Sequence, residues 1–406
     1  MIFMNGKIVY LDGLRGLAAF IVVVSHFFQV FAPSVFEGKA EIQHFAFESL
    51  AARTPLNLPF NGNFSVCLFF VLSGYVLSRR FFQTGDNLII YSSAIRRYFR
   101  LAVPAFISVL FAYLIAVFDL GAFDDIRGIT LSSMPNPFQA DVNLLHMLKE
   151  SLIHTFFTYG SQYNPVLWTM TYELLGSFLI FAFLLLLRRP GLRFAGYAVL
   201  IYGFIDSYYL GFVLGMLLSD LKNGNRDWLA CIRRPWVNFI MLTAGVYMGS
   251  YPYIDPKGTI YSILVWKSDQ FQFFEFYHVM GSFLIVSALL NSDRMQSMLS
   301  LKVFSYLGKV SFSLYLVHFT IICSFGSYVF LKFSPFLSYG INVLLTTVIT
   351  LPLIFAAAHV FHRFIDVSTL LLLGRWNEWL MSAWIRRRRR DILLREISMK
   401  SDQTKM

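Results

Sequence analysis

Charge is what this 406-residue chain has least of. Asp, Glu, Lys and Arg together make up 14% of it, against about 25% in an average soluble domain. Length alone would suggest two or three soluble domains. The composition excludes that, because 57% of the residues are hydrophobic, 44 are Phe and the mean hydropathy is +0.60. A water-soluble fold of this size could not hide so much apolar surface. Cysteine is nearly missing too. Cys67, Cys231 and Cys323 stand far apart, in or beside apolar stretches, with neither metal-ligand spacing nor an even-numbered framework. They read as small packing residues, and no metal is expected. There is no Gly-rich nucleotide loop, zincin pattern or G-x-S-x-G elbow, and neither an internal repeat nor an appended soluble domain is visible.

Long apolar runs are present instead. A helix needs about 20 apolar residues to cross a bilayer, and ten stretches qualify as candidates: 8–32, 61–81, 101–118, 166–187, 194–206, 207–221, 236–254, 276–292, 311–331 and 340–364. The fifth and sixth share a polar break at Asp206-Ser207 and read as a tight outer hairpin. The runs are continuous rather than alternating and too long for barrel strands, so the expected fold is an all-α polytopic membrane protein of about ten transmembrane helices.

Orientation follows from Lys and Arg. With the N-terminus inside, 27 of the 34 fall on inner segments and 7 on outer loops, a positive-inside split. It predicts both termini in the cytoplasm and a membrane domain over 1–370 with a basic cytoplasmic tail over 371–406. The tail's Arg386 to Arg390 reads as an anchor touching anionic lipid rather than nucleic acid. The first apolar run is too long for a cleavable signal peptide, carries Asp12 and Arg15 and lacks a cleavage site, so it is expected to stay as a helix. The longest outer loop, about 119–165, holds an amphipathic stretch from Leu144 to Tyr159.

Ionisable groups inside a span are costly and therefore candidates for function. Arg15 and His26 lie eleven positions apart in the first span. At about 100° and 1.5 Å per residue they share one helix face and stand about 16 Å apart along it. Alone, Arg15 could snorkel and His26 could be a hydrogen-bonded core residue. Together they place a fixed cation at the inner end and a proton-transfer group further out. Glu173, in Leu167-Trp-Thr-Met-Thr-Tyr-Glu, is expected at a depth similar to His26, where a carboxylate could orient the imidazole; the alternative is a protonated Glu joining helices. Arg97 and Arg100, in Arg96-Arg-Tyr-Phe-Arg, suit phosphate binding or ordinary anchoring. His318 follows several hydroxyls, so a structural network is as good a reading as catalysis. Ser73-Gly74 looks like a close helix-packing point.

These residues resemble a known family. Leu11-Asp-Gly-Leu-Arg-Gly-Leu-Ala-Ala with Arg15-x10-His26 is similar to the signature of the acyltransferase-3 family of integral-membrane acyltransferases. Phe69-Phe-Val-Leu-Ser-Gly-Tyr resembles its second-helix motif, Arg97-x-x-Arg100 before Pro104 its Arg pair, Trp168 to Glu173 its fourth-helix glutamate motif, and Ser311-Phe-Ser-Leu-Tyr-Leu-Val-His its late Ser-Tyr-His motif. Phe361 to Asp366 resembles the final-helix motif, with Asp where Glu is commoner. The resemblance covers nearly the whole chain.

It implies a multi-pass protein, such as one of a bacterial inner (plasma) membrane, that moves an acyl group, usually acetyl, from cytoplasmic acyl-CoA to a hydroxyl of an extracytoplasmic or lipid-linked carbohydrate of the cell envelope. No bound cofactor is implied. In that reading His26 and Glu173 are catalytic, Arg15, Arg97 and Arg100 hold the phosphates of CoA, and Asp12, Ser73, Trp168, Tyr315 and His318 support them. Some family members carry an extra esterase-like domain. This chain is expected to transfer directly or to hand the acyl group to a separate extracytoplasmic transferase. Two readings from other classes remain: a proton-coupled secondary transporter using the same buried ionisable groups, and a membrane assembly partner without catalysis.

Overall fold

A computed structural model of the protein describes residues 8–139, 142–224, 226–265 and 273–380. Among these residues the chain is all-helical, with no strand. The principal helices are α1 (Val9–Phe31), α2 (Gly62–Thr84), α3 (Asn87–Val117), α4 (Trp168–Leu186), α5 (Pro190–Gly203), α6 (Tyr209–Asn223), α7 (Pro235–Gly249), α8 (Phe273–Leu290), α9 (Lys302–Ile321) and α10 (Tyr339–Phe361). Each of the ten apolar runs coincides with one of them. The third begins well before its apolar part. Asp86 accepts a hydrogen bond from the Leu88 amide and caps α3 at Asn87, so Arg96, Arg97 and Arg100 ride on the helix instead of a loop before it. Single-turn π-helical segments carry α9 on to Phe333 and α10 on to Leu380. The basic run Arg386 to Arg390 lies outside the described residues.

Seven helical stretches among the described residues are long and apolar enough to cross a membrane. The helices α5, α6 and α7, at 14, 15 and 15 residues, fall short of that length. At 1.5 Å per residue they reach only about 21–23 Å. Together with the family described below, the apolar helices fit an integral membrane protein.

The centre of the bundle is α1, which packs most extensively on α9 and next on α2, while α2 packs on α6. Glycines set these distances. A Cβ at Gly16 would collide with the Gly308 backbone nitrogen, and one at Gly308 with the Asp12 carbonyl. Likewise a Cβ at Gly74 would strike the Phe212 carbonyl and one at Gly215 the Val71 carbonyl, which makes Ser73-Gly74 the packing point that its small residues suggested. In a bilayer, where lipid is as apolar as Leu, such backbone approach is the main source of helix association.

Because α1 and α9 touch at their backbones, a single methyl should separate them. Gly308→Ala is expected to lower stability by about 1–3 kcal/mol, the usual cost of overpacking, and Gly16→Leu by more. Thermal unfolding in detergent reads this directly. Wild-type melting by Gly308→Ala would show that the two helices do not meet there.

Candidate active site

Two cavities follow one another along α1. The first, about 260 Å³, is lined by Arg15 of α1, Ser73 of α2, Arg97 and Arg100 of α3, Glu173 of α4 and Phe312 of α9, among others. The second, about 240 Å³, is lined by His26 and Gln29 of α1, Asn63 of α2, Trp168 of α4, and Met134 and Tyr253 from loops. Val66 of α2 and Tyr315 of α9 line both. The first chamber is charged. The second has no Asp, Glu, Lys or Arg in its wall.

Every arginine of the first chamber has a carboxylate. Arg15 Nη1 lies 3.3 Å from Asp12 Oδ1, one turn away. Arg97 Nη2 is 2.5 Å from Glu173 Oε2, and its Nε donates to Ser177 Oγ at 2.7 Å. Arg100 Nη1 is 2.6 Å from Asp366 Oδ1, with its guanidinium over the Phe312 ring. Asp366 is in turn held by His362 Nδ1 at 2.9 Å. Ser73 Oγ donates to Glu173 at 2.8 Å. Charges so little exposed to water gain from further hydrogen bonds, and Ser73 supplies one to Glu173, Ser177 one to Arg97 and His362 one to Asp366.

The second chamber is built around a pair of histidines. His26 Nδ1 is 2.9 Å from the Val22 carbonyl, and His318 Nδ1 is 2.9 Å from the Leu314 carbonyl. A carbonyl oxygen can only accept, so each Nδ1 carries a proton, and in the neutral ring each Nε2 is then a bare lone pair. His318 Nε2 lies 3.1 Å from His26 Nδ1, so it accepts a share of that proton. His26 Nε2 is left without a partner among the described residues, which is the protonation state a general base needs. The register of α1 on α9 produces this meeting. Gly16 and His26 are ten residues apart on α1, Gly308 and His318 ten apart on α9, so helices in contact at the glycines also meet at the histidines.

All ten residues singled out in the sequence therefore line or adjoin these two chambers, but their grouping differs from expectation. Glu173 was expected at the depth of His26. It sits in the arginine chamber, bonded to Arg97 and Ser73. The reason is helical rise: Trp168 of α4 lines the histidine chamber, and Glu173, five residues on, stands about 7.5 Å further along the axis. The group that meets His26 is His318. Trp168 forms part of the histidine chamber wall, and Tyr315 stands between the chambers.

The sequence reading gave several groups no site role. Asp366 is the ion partner of Arg100, and its position four residues after His362 in an apolar helix was a usable signal. His278, fully buried in α8, was another ionisable group inside a predicted span. It bonds Asn63 Oδ1 at 2.9 Å and the Tyr251 carbonyl at 3.0 Å. Tyr253 donates to Asn61 Oδ1 at 3.0 Å, and burial pushes its hydroxyl pKa upward, so it remains a donor. This network fixes the α2 end of the histidine chamber.

The Arg97–Glu173 pairing can be tested by stability. Glu173→Leu leaves a little-exposed guanidinium unpaired, and removing one partner of a buried pair costs about 3–5 kcal/mol. The double variant Arg97→Met, Glu173→Leu should recover most of that loss in detergent melting. Equal melting of the single and double variants would place the charge of Arg97 elsewhere.

With this geometry in hand, comparison with known proteins gives a consistent answer. The acyltransferase-3 family profile, described as an acyltransferase domain, matches residues 8–359. The protein named Acyltransferase R4, from a Phoma species, is 23% identical over 441 residues, covering 88% of this chain and 93% of its own. No solved structure matches the chain. A profile that spans the arginine chamber, the histidine pair and nearly the full length places the chain in the acyltransferase-3 family, whose members are membrane acyltransferases.

Proposed function

We propose that the protein is a membrane O-acyltransferase that takes an acyl group, most simply acetyl, from acyl-CoA and gives it to a hydroxyl of a carbohydrate. The observation that carries this reading is the pair of adjoining chambers: one rich in arginine and one, uncharged, that holds a neutral histidine with a bare Nε2.

The phosphates of CoA sit at Arg15, Arg97 and Arg100, and the pantetheine arm runs along α1. The 16 Å or so between Arg15 and His26, from the helical rise, suits that arm. His26 Nε2 takes the proton of the acceptor hydroxyl as its oxygen attacks the thioester carbonyl. The new C–O bond forms, the C–S bond breaks, and the proton passes to the leaving CoA thiolate. While the proton rests on His26, its Nδ1–H still donates to Val22 and to His318 Nε2, so His318 positions the ring and shares the transient charge. Glu173 acts with Arg97 on the donor side. Family membership favours this reading over proton-coupled transport.

We further propose ten crossings with both termini cytoplasmic, α5, α6 and α7 being accommodated as short spans by local thinning of the bilayer. The 27-to-7 distribution of Lys and Arg supports it, and so does the coincidence of each apolar run with a helix. The membrane domain is then residues 1–370 and the tail 371–406. In this topology the arginine chamber faces cytoplasmic CoA and the histidine chamber the far side, where the carbohydrate is met directly or through a separate transferase.

His26→Ala should cut acyl transfer by about 10²–10⁴-fold, the usual worth of general-base help, at membrane levels matched by immunoblot. His318→Ala should lower kcat without changing the donor KM, and His318→Gln, whose amide oxygen can accept the same N–H, should recover part of it. Full activity in His26→Ala would end this mechanism. On the donor side, Arg100→Ala should raise the KM for acyl-CoA about 10- to 100-fold, as a lost charge-assisted contact worth about 1.5–3 kcal/mol requires. Unchanged donor dependence would leave Arg100 as the partner of Asp366 only. For topology, cysteines placed in 222–234 should react from the cytoplasmic side and those in 119–139 from the outside; the reverse, or both from one side, would remove the ten-span arrangement.

A further inference from the structure

Among the described residues Val66 and Tyr315 are the two that line both chambers, so they stand where the chambers adjoin, and a group reaching His26 from the arginines along α1 passes beside them. Their freedom to move is unequal. Tyr315 is buried, and its hydroxyl donates to the Val166 carbonyl at 2.6 Å and meets Thr169 Oγ1 at 2.9 Å. The edge of Phe69 packs on its ring at 5.9 Å between centroids. Swinging it aside would strand its hydroxyl in an apolar setting, while Thr169 Oγ1 and the Val166 carbonyl would keep their own bond at 3.1 Å. The backbone under Val66 is fixed as well. Four residues before it, a Cβ at Gly62 would lie 2.7 Å from Ser25 Oγ of α1; eight residues after it, Gly74 meets the Phe212 carbonyl of α6. The contact at Gly62 holds α2 against α1, and the α6 contact at Gly74 leaves it no room to draw back there. A valine inside a helix keeps essentially one χ1 rotamer. The width of the passage is therefore set by the two γ-methyls of Val66.

We propose that Val66, against the fixed ring of Tyr315, is the specificity-determining residue that restricts the donor by cross-section: an unbranched chain passes, and an acyl group branched next to its carbonyl does not. This rests on the acyl-CoA reading above and adds to it the class of donor accepted. The cysteamine end of a pantetheine thioester and a straight-chain acyl group are equally narrow, and the wider gem-dimethyl carbon of the arm lies next to the phosphates, on the arginine side, so the constriction selects shape and leaves length to the 240 Å³ chamber beyond. Val66→Ala opens the passage by two methyls, and Val66→Ile narrows it.

Two measurements test this separately from the enzyme reading. In the first, Gln29→Cys reports arrival in the histidine chamber. Sealed vesicles are treated, from the arginine end only, with methanethiosulfonate reagents bearing a narrow ethylammonium or a wide trimethylammonium head, and labelling at position 29 is followed by peptide mass spectrometry. The narrow reagent should label and the wide one should lag at least tenfold. Val66→Ala should remove most of that lag, and Val66→Ile should increase it. In the second, CoA release from acetyl-CoA and isobutyryl-CoA is compared for the same variants, with the isobutyryl-to-acetyl ratio rising at least tenfold in Val66→Ala, within the range that one or two methyl groups command in an apolar site. Equal labelling by both reagents in the unaltered passage, or a lag that ignores residue 66, would overturn the constriction. A labelling shift with an unmoved donor ratio would leave a constriction that does not select the donor, and so also overturn the proposal. If neither thioester releases CoA in any variant, the acyl-CoA reading fails, and the labelling result still decides whether Val66 sets the passage.

Discussion

Backbone contact between α1 and α9 is the constraint on which the rest depends. Gly16 against Gly308 brings the two helices as close as helices can come, and the equal ten-residue spacing to His26 and His318 turns that contact into a histidine pair. Any side chain at either glycine would hold the imidazoles apart, and the pair would lose the bond that joins the two rings. The same approach places Arg15, one residue before Gly16, at the end of the bundle where α3 and α10 bring their own charges. A steric fact about two hydrogen-sized side chains thus decides both where a base sits and where cations gather.

Those cations are balanced in place. Arg15 with Asp12, Arg97 with Glu173, and Arg100 with Asp366 leave the empty chamber without net charge, which is what a low-dielectric site demands of buried ions. The carboxylates also extend the guanidinium groups and hold them, so side-chain entropy is lost on folding instead of on binding. A phosphate arriving there would find preorganised donors, but it would have to share them with three carboxylates. Binding in such a site is an exchange of partners, and its strength depends on how far Asp12, Glu173 and Asp366 can retain their remaining hydrogen bonds.

Much of this was legible in the sequence. The ten apolar runs match ten helices, because continuous hydrophobicity in a chain this poor in charge has few other solutions. Arg15, His26, Glu173 and His318 stood out for one reason, the cost of a polar group among apolar ones, and Arg97 and Arg100 for another, the fit of paired guanidinium groups to phosphate. Their grouping was not legible. That Glu173 belongs with Arg97 and His318 with His26 depends on which helices are neighbours and at what register, and both are set by glycines whose partners lie hundreds of residues away. Asp366 was noticed only as a variant of the final-helix motif, and His278, inside a predicted span, was passed over because its surroundings carried no motif. The helices α5, α6 and α7 are shorter than a full span, as the brevity of the fifth and sixth apolar runs already suggested.

The separation of carboxylates from the base has a chemical logic of its own. A carboxylate hydrogen-bonded to His26 would favour the imidazolium at rest, as a nearby opposite charge does, and a protonated Nε2 cannot receive a proton from an acceptor hydroxyl. A neutral imidazole in the same place orients the ring equally well and strengthens its hold only when His26 becomes charged. It releases that hold when the proton leaves, so the base returns to its starting state within one cycle. The wall of Val66 and Tyr315, with charge on one side and none on the other, keeps this arrangement intact. The arginines require carboxylates, a neutral His26 is better without one beside it, and separate chambers meet both requirements within one helix bundle.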